Sequence, residues 1–292
     1  MRAICRSTPR PERRYRPHDA APLALVRAAG EPWRTGSRAA GRGVESDLAR
    51  TIVITGAGAG LGRALARRFA AAGDTVLLLG RTLAKVEQVA AEIGGHGFAC
   101  DVGSPESVRA AFAAIGERFP RIDVLINNAA VFEPFTIAEA TDAQIMQTTA
   151  INLCGPMLCV RSALPLLGAG GHIVNVSSES VVLPFPHLLV YQAAKAGIER
   201  FSEGLERELA ADGIRVTCIR AGQMMDADST ALAISPEVAM RFAQAAMANG
   251  LNLRERPISQ YASVTEAFVA VVNMPADIHM GLVTLSARKP DA

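Results

Sequence analysis

The segment YQAAK places Tyr191 and Lys195 four residues apart, and this pair has the clearest potential for catalysis. The chain has 27 arginines and only three lysines, so a lysine is an uncommon cation here. In a helix, residues i and i+4 lie on one face, so the phenol and the ammonium would project together. A phenol titrates at about pH 10, and a nearby ammonium favours its ionised form. The pair therefore predicts a proton donor or acceptor, although so short a motif also arises by chance.

A glycine-rich stretch, TGAGAGLG (55–62), follows the β-branched run TIVIT (51–55) and opens a segment with apolar residues at four-residue spacing. Gly56, Gly60 and Gly62 stand where a tight turn, close backbone approach and helix packing on a strand each need glycine. The helix that follows would offer free N–H groups to a pyrophosphate. These glycines are not followed by the G-K-[ST] of a P-loop, so the stretch predicts a dinucleotide site.

The residues after the second predicted strand bear on the choice of dinucleotide. NAD-binding proteins place a carboxylate there for the ribose 2′-hydroxyl, about 20 residues after the glycines. This chain has Gly80, Arg81 and Thr82 instead, and a guanidinium suits a 2′-phosphate. We therefore expect NADP(H) rather than NAD(H), the alternative being a solvated surface arginine. Asp101, which ends the third strand, is placed to accept a hydrogen bond from the adenine amino group.

The elements that would position these residues alternate strictly between strand and helix. Such alternation predicts a Rossmann-like α/β fold, a doubly wound parallel β-sheet with helices on both faces. We expect a single domain over residues 44–292, because no internal linker divides it. The predicted strands are TIVIT (51–55), TVLLL (75–79), FAC (98–100), IDVLI (122–126), HIVNVS (172–177) and IRVTCI (214–219).

Residues 1–43 show neither helical nor strand periodicity and are rich in Arg, Pro, Gly and Ala. We expect a disordered extension, because such a composition buries too little apolar surface to order itself. An organelle transit peptide and a translation start near Val44 remain alternatives. The first 50 residues hold 11 arginines against five acidic residues, so the basic character of the chain is theirs. Residues 51–292 hold 19 basic and 23 acidic residues and give no reason to expect nucleic acid as a partner.

Cysteine content and hydropathy suggest a cytoplasmic protein. The chain has no run of 18 apolar residues, so no membrane-spanning helix is expected. An odd number of cysteines without a C-x-x-C motif predicts small buried thiols in a reducing compartment, and no metal site. They are Cys5, Cys100, Cys154, Cys159 and Cys218.

Several motifs together resemble the short-chain dehydrogenase/reductase family over about residues 50–285. The family pattern T-G-x-x-x-G-x-G corresponds to TGAGAGLG, N-N-A-G to NNAA (127–130), and Y-x-x-x-K to Tyr191 and Lys195. The family's catalytic serine lies 13 residues before the tyrosine, which selects Ser178 over Ser177. The family's helix asparagine corresponds to Asn152 in INLCG.

The resemblance implies an oxidoreductase that transfers hydride between nicotinamide and a carbonyl or secondary alcohol. Tyr191 would exchange the proton, and Ser178 would polarise the substrate oxygen. Lys195, helped by the positive charge of oxidised nicotinamide, would lower the pKa of Tyr191 and reach the ribose hydroxyls. Asn152 would hold a water that links Lys195 to solvent, and Asn127 would steady the central sheet. The implied cofactor contacts are Thr55, Gly56, Gly60, Leu61, Gly62, Arg81, Asp101, Val102, Asn128, Ala129, Tyr191, Lys195 and Gly222.

Three departures from the family pattern leave the substrate open. Ala130 replaces the last glycine of N-N-A-G, AG (221–222) replaces a P-G pair, and GLVTLSARKP (281–290) lacks a double glycine. Substrate pockets in such sheets lie beyond the carboxyl ends of the strands, which points to residues 179–189 and 223–249. Methionines in the second segment suit an apolar or bulky carbonyl compound, with core packing as an equal alternative. They are Met224, Met225, Met240 and Met247.

The family resemblance also bears on the partners of the chain and on alternative functions. We expect a small-molecule substrate, no nucleic acid and no membrane. The helices of Asn152 and Tyr191 form a subunit interface in relatives, which implies a homodimer or homotetramer. His187 is expected to be solvated rather than in contact with substrate. A non-catalytic NADP-binding sensor or scaffold is the main alternative, and an epimerase of the extended type fits the glycine spacing less well.

Overall fold

Among the residues that the structure describes, buried runs of Ile, Val and Leu form a seven-stranded parallel sheet with helices on both faces. The computed structural model describes residues 49–226 and 234–288. The strands are β1 (Thr51–Thr55), β2 (Thr75–Gly80), β3 (His96–Ala99), β4 (Ile122–Asn127), β5 (Leu167–Ser178), β6 (Arg215–Ala221) and β9 (Leu282–Leu285). Their order in the sheet is β3-β2-β1-β4-β5-β6-β9, so the predicted doubly wound fold is confirmed.

Two short strands pair outside this sheet. β7 (Met224–Met225) and β8 (Ser259–Gln260) run parallel, with Met224 opposite Ser259. The helices are α1 (Gly60–Ala71), α2 (Leu83–Ile93), α3 (Pro105–Arg118), α4 (Asp142–Thr149), α5 (Gly155–Ala163), α6 (Leu189–Leu209), α7 (Pro236–Ala248) and α8 (Tyr261–Val272).

The two faces of the sheet support two apolar cores. One core packs side chains of α1, α2 and α8 against β1, β2 and β4, with Phe69 and Phe268 fully buried. The other packs α3, α5 and α6 against the opposite face, around residues such as Phe112 and Ile115. Both faces of a parallel sheet must be covered, which explains why its strands are continuous apolar runs rather than alternating ones.

Local sequence signals set several helix boundaries. Ser104 is the N-cap of α3, where its side chain accepts a hydrogen bond from the Ser107 N–H, and Pro105 follows as the first helical residue. Thr141 and Gln144 form a capping box at the start of α4. A π-helical turn over Ala150–Cys154 joins α4 to α5 and carries Asn152.

The six predicted strands are all present, with shifted ends. β1 matches its prediction, whereas β3 begins at His96, two residues before the predicted start. β5 begins at Leu167, five residues earlier than predicted, because Leu167 already pairs with Ile122 of β4, before an irregularity in the register that ends at His172. The proposed extension over residues 1–43 lies outside the described residues, as do residues 227–233 of the predicted substrate segment.

The cysteine prediction is confirmed for three of the four described thiols. Cys100, Cys159 and Cys218 are buried and free, and burial raises the pKa of the Cys218 thiol to about 11. Cys154 is free but exposed, so its prediction was wrong. It lies in the π-helical turn, which directs Ile151 and Asn152 inward and leaves Cys154 outside. No described helix is long and apolar enough to cross a membrane, and the described residues contain no cluster suited to a metal ion.

We predict that Gly62→Ala destabilises the fold. A Cβ at Gly62 would lie 2.3 Å from the Gly56 carbonyl oxygen and 2.6 Å from Asn128 Nδ2. Relief of this overlap requires movement of backbone, which costs about 2 kcal/mol or more of the free energy of unfolding. Urea denaturation measures the change.

Gly204→Ala is the matched control, because its Cβ would meet nothing within 4 Å on α6. We expect that control to gain about 0.5–1 kcal/mol in unfolding free energy. A Gly62→Ala protein as stable as the wild type would contradict the tight packing of this turn.

Candidate active site

The carboxyl ends of the strands form one edge of the sheet, and the direction of strand order reverses there between β1 and β4. Such a switch point leaves a crevice that is the usual ligand site of this architecture. The glycine stretch leaves β1 on one side of the crevice, and Asn128 and Ala129 leave β4 on the other. A Cβ at Gly56 would lie 2.9 Å from Ala129 Cα, so the two loops touch through their backbones.

Thr55 and Asn128 fix the shape of this crevice. Thr55 Oγ1 accepts hydrogen bonds from the backbone N–H groups of Asn128 and Ala129, both 3.0 Å long. Asn128 Nδ2 donates in return to the Thr55 carbonyl oxygen at 3.0 Å. Each side chain therefore binds the backbone of the other residue's loop. Contact of Thr55 or Asn128 with a dinucleotide stays a prediction.

The start of α1 is shaped to receive an anion. Its N-cap, Ala59, makes no side-chain cap, so the first N–H groups of α1 face the crevice without a capping oxygen. Gly60 adopts the left-handed region at φ 52°, and Gly62 leaves room beside the Gly56 carbonyl oxygen. Leu61 points into the core, so a ligand would meet only its backbone.

A tyrosine outside the predicted set also reaches this turn. The hydroxyl of Tyr261, the first residue of α8, lies 3.5 Å from the position of a Cβ on Gly60. Burial raises the pKa of Tyr261, and the carboxylate of Asp226 adds to that effect. No local pattern links Tyr261 to the glycines, because the two are about 200 residues apart and meet only through the packing of α8 on α1.

Arg81 and Asp101 lie where the sequence placed them, after β2 and β3. Arg81 is exposed and makes no hydrogen bond or ion pair with any described residue. Asp101 Oδ1 accepts a hydrogen bond from the Gly103 N–H at 3.0 Å, which fixes the carboxylate at the edge of the crevice. Val102 is buried against Gly155, so only its backbone is available to a ligand.

Tyr191 and Lys195 share one face of α6, as their spacing predicts. Lys195 is buried, with 3% of its surface exposed, and its ammonium donates a hydrogen bond to the Val176 carbonyl oxygen at 2.8 Å. The same nitrogen lies 5.8 Å from the centroid of the Tyr191 ring. Tyr191 itself is partly exposed. A fixed ammonium therefore lies close to a phenol that is only partly buried.

Burial sets the direction of both pKa shifts in this pair. Burial raises the pKa of Tyr191, and the nearby hydroxyl of Ser178 lowers it by less. Burial also lowers the pKa of Lys195 to about 8. Desolvation therefore dominates the phenol pKa in the chain itself, and the expectation that Lys195 and an oxidised nicotinamide together lower it stays a prediction.

Ser178 ends β5 and meets the phenol. Its Oγ accepts a hydrogen bond from the Ser180 N–H at 3.2 Å and lies near enough to the Tyr191 hydroxyl to lower its pKa. Because a hydroxyl has one proton and two lone pairs, the Ser178 proton can serve Tyr191 or a substrate oxygen. Ser177 points to the other face of the strand, where it donates to Glu199 Oε1 at 2.8 Å. The geometry thus agrees with the choice of Ser178.

Asn152 and Asn127 are buried structural amides. Asn152 Oδ1 accepts from the Val131 N–H at 3.0 Å, and Asn152 Nδ2 donates to the Val131 carbonyl oxygen at 2.9 Å. Its side chain is thereby committed to the loop after β4, and the expected water relay stays a prediction. Asn127 Nδ2 donates to Asn175 Oδ1 at 2.9 Å across the sheet, which supports its expected steadying role.

A row of phenylalanines extends from the phenol; two of them lie in the segments expected to line the substrate pocket, 179–189 and 223–249, and sequence reasoning missed the third, Phe132. Phe132 meets Tyr191 edge-on with ring centroids 5.5 Å apart, and Phe242 meets Phe132 at 6.0 Å. Phe185 stacks on Phe242 at 6.2 Å. We call Phe132, Phe185 and Phe242 the aromatic wall. They come from three separate segments of the chain, so their contact with one another carries no local sequence signal.

The methionines proposed for the substrate pocket do not form this wall. Met240 and Met247 are more than half exposed, at 59% and 53%, while Met224 packs against the core. His187 adopts a left-handed φ of 58° and lines a cavity of about 310 Å³ with Glu133, Arg241 and others. Ala130 keeps an ordinary φ, so the turn does not need the glycine that it replaces.

Comparisons with known proteins identify relatives of this arrangement. A family model described as short chain dehydrogenase matches residues 50–234, which span the glycine turn and the Tyr191–Lys195 pair. Sulfoacetaldehyde reductase of Chromohalobacter salexigens is 39% identical over 179 residues, which cover 59% of this chain and 71% of that protein. D-xylose 1-dehydrogenase of Caulobacter vibrioides is 34% identical over 182 residues, 60% and 72% of the two chains.

Solved structures give the same result. A short-chain dehydrogenase from Burkholderia cenocepacia, determined in complex with NADP, is 26% identical with a TM-score of 0.68. The match covers 81% of this chain and 96% of that chain. Sequence and fold therefore agree over the region that carries the crevice.

We predict that Lys195 makes stability rise with pH. Its pKa is about 8 in the folded chain against an ordinary value of 10.5, so the unfolded state binds more protons between these values. The free energy of unfolding should therefore rise by about 3 kcal/mol across this window and lose that gain in Lys195→Met. Urea titrations of both proteins at several pH values give the difference. If the unfolding free energies of the two proteins change with pH in parallel, the lowered pKa of the buried Lys195 ammonium is contradicted.

Proposed function

The chain belongs to the short-chain dehydrogenase/reductase family, and from this membership we propose that it reduces apolar or bulky carbonyl compounds with NADPH. Members of the family are NAD(P)-dependent oxidoreductases that act on alcohols and carbonyl compounds, and this chain is one of them. The observation that carries the proposal is the meeting of Tyr191, Ser178 and the aromatic wall beside the glycine crevice.

The residues of the crevice fit a dinucleotide. Room for close approach exists at Gly56 and Gly62, where a Cβ would overlap backbone or Asn128, and the uncapped start of α1 suits a pyrophosphate. Arg81 would hold a 2′-phosphate and Asp101 an adenine amino group. When bound, the dinucleotide supplies the hydride that the carbonyl carbon receives. The relative from Burkholderia cenocepacia binds NADP, which supports this choice of cofactor.

The chain's own residues would handle the oxygen of the substrate. Ser178 would donate a hydrogen bond to the carbonyl oxygen and so stabilise the negative charge that develops there. Tyr191 would donate its proton to the same oxygen to complete the alcohol. Lys195, whose ammonium is held by Val176, would support the phenolate that remains. The aromatic wall would exclude water from the reacting group.

Reduction needs the protonated phenol of Tyr191, because that form donates the proton to the substrate oxygen. Burial raises the pKa of Tyr191, so the phenol is protonated at neutral pH. In the oxidative direction the same group must first lose that proton, and the positive charge of an oxidised nicotinamide would help Lys195 to lower its pKa.

An apolar or bulky substrate is favoured by the aromatic wall. Three phenylalanines in contact offer flat apolar surface, and a polar substrate would have to lose its hydration against them. The names of the two relatives, a sulfoacetaldehyde reductase and a D-xylose 1-dehydrogenase, indicate small polar substrates for those proteins. The proposed substrate class therefore rests on this chain's own residues.

The cytoplasmic location and the homo-oligomeric state also remain proposals. Residues 157–167, whose apolar face would suit such an interface, are partly used inside the subunit, because Cys159, Val160 and Ala163 are buried in the core. Met146, on the preceding helix α4, is 68% exposed and offers apolar surface to a second copy. Gel filtration at micromolar concentration should show a dimer or tetramer, and a monomer would refute the proposal.

We predict that Tyr191→Phe abolishes carbonyl reduction. Loss of the phenolic proton should lower kcat by about 100-fold or more, while the ring keeps its contact with Phe132. A panel of ketones and aldehydes, followed through NADPH absorbance, measures the rate. NADPH binding, measured by fluorescence, should be unchanged in the variant. NADPH binding without turnover of any carbonyl by the wild type would favour a sensor, and unchanged turnover in Tyr191→Phe would refute the assigned acid.

We predict a preference for NADPH that depends on Arg81. Arg81→Gln should weaken NADPH binding by about tenfold or more, because a charge-assisted hydrogen bond is lost, and leave NADH binding unchanged. Arg200→Gln is the control, since Arg200 is an exposed arginine paired with Glu203 on α6. Isothermal titration with both dinucleotides measures the constants. Equal affinity of the wild type for NADPH and NADH would overturn the role of Arg81.

A further inference from the structure

An ion pair of low exposure stands next to the serine of the site. Glu179, the residue after Ser178, and Arg256 approach to 2.6 Å, with 11% and 19% of their side chains exposed. The Arg256 guanidinium also lies over the ring of Phe185, 5.1 Å from its centroid. The pair therefore touches the end of β5 and the aromatic wall at once.

Glu179 opens the turn that orients Ser178. Residues Glu179–Val181 form a single 3₁₀ turn, whose Ser180 N–H donates to Ser178 Oγ. The same turn is fastened from α6, where Gln192 Nε2 donates to the Ser180 carbonyl oxygen at 2.9 Å. The Glu179 carboxylate also lies 3.3 Å from where a Cβ on Gly222 would stand, in the loop after β6. A shift of Glu179 would therefore move the donor that fixes Ser178.

Arg256 belongs to residues 251–258, which connect α7 to β8 and which we call the cap segment. The segment folds on itself through Asn252, whose carbonyl oxygen accepts from the Arg256 N–H at 3.2 Å. Just after it, the Ser259 N–H donates to the Gln223 carbonyl oxygen at 3.0 Å. The cap segment is thus tied to the loop after β6 by backbone and to Glu179 by charge.

We propose that Glu179 and Arg256 form a positioning pair that couples the cap segment and the aromatic wall to the hydroxyl of Ser178. Neither residue needs to touch the substrate. The Arg256 guanidinium contacts the Phe185 ring and the Glu179 carboxylate. The position of the aromatic wall and the orientation of the Ser178 hydroxyl therefore change together. A neutralised pair at this place also presents no net charge to a substrate, which agrees with an uncharged one. The kinetic part of this inference rests on the proposed function.

The low exposure of both partners makes the pair sensitive to the loss of one. Removal of one member of such a pair leaves the other charge desolvated and without a partner, and that charge pulls its segment towards water. Removal of both leaves no such charge. The rate loss in the double variant should therefore be smaller than the product of the losses in the two single variants. It should be no larger than the loss in the poorer single variant.

The test compares Glu179→Gln, Arg256→Met and the double variant with the wild type. The control is Asp74→Asn, because Asp74 and Arg50 form an ion pair of similar burial, 6% and 27% exposed, at the opposite end of β1 and β2. Two quantities are measured in each protein. One is the single-turnover rate of NADPH oxidation with the best carbonyl substrate, with its deuterium isotope effect. The other is amide hydrogen exchange of residues 179–185 and 251–260 without ligands.

We expect each single variant to slow hydride transfer by about tenfold or more, the scale of a misplaced hydrogen-bond donor, and to enlarge the isotope effect. NADPH affinity should not change. Both peptides should exchange faster in Glu179→Gln, although the substitution lies in only one of them. Asp74→Asn should lose stability and keep its rate and its isotope effect.

Three results would overturn the coupling. One is a rate in Glu179→Gln equal to that of the wild type or of Asp74→Asn. Another is rate losses in the two single variants that multiply in the double variant. The last is unchanged exchange of residues 251–260 in Glu179→Gln, and this result needs no turnover. If the wild type reduces no carbonyl compound, the proposed function fails, and the exchange measurement still decides whether the pair couples the two segments.

Discussion

The burial of the Lys195 ammonium is the constraint on which the rest of the site depends. Its charge costs free energy in the core, and it is held there by one hydrogen bond to the Val176 carbonyl oxygen, 2.8 Å away. That bond fixes the amine on β5, the strand that ends at Ser178, while the helix carries Tyr191 one turn earlier. Strand and helix therefore set the relation of amine, phenol and hydroxyl before any ligand binds. A longer or planar cation would not fit the same buried position without displacing this strand.

The parallel sheet converts distant segments into one site. Because all its strands point the same way, the residues after β1, β4 and β5 meet at one edge although they are far apart in the chain. Buried side chains of Thr55 and Asn152 hold the loops at that edge through backbone bonds rather than through ligand contacts. The residues that face the crevice are then free to act on a ligand, such as Arg81, which is exposed, and Tyr191, which is partly buried.

Much of this arrangement can be predicted from the sequence, and the remainder cannot for physical reasons. The period of apolar residues predicts the strands, and the four-residue spacing predicts the shared face of Tyr191 and Lys195. The direction of the Tyr191 pKa shift cannot be predicted from spacing, because it depends on how far the fold removes water from the phenol. The aromatic wall and the Glu179–Arg256 pair cannot be predicted either, because their residues are far apart in the sequence and meet only in the folded chain. The prediction that Cys154 is buried was wrong, because a π-helical turn changes which residues of this segment face inward.

The pH dependence of single-turnover carbonyl reduction with NADPH tests the central claim most directly. The account assigns proton donation to Tyr191, with Lys195 supporting the phenolate that forms. The rate should stay level through neutral pH and fall at alkaline pH, as the Tyr191–Lys195 pair loses its proton. A rate that rises with pH across neutrality would show that a deprotonated group drives the reaction, and it would contradict this account.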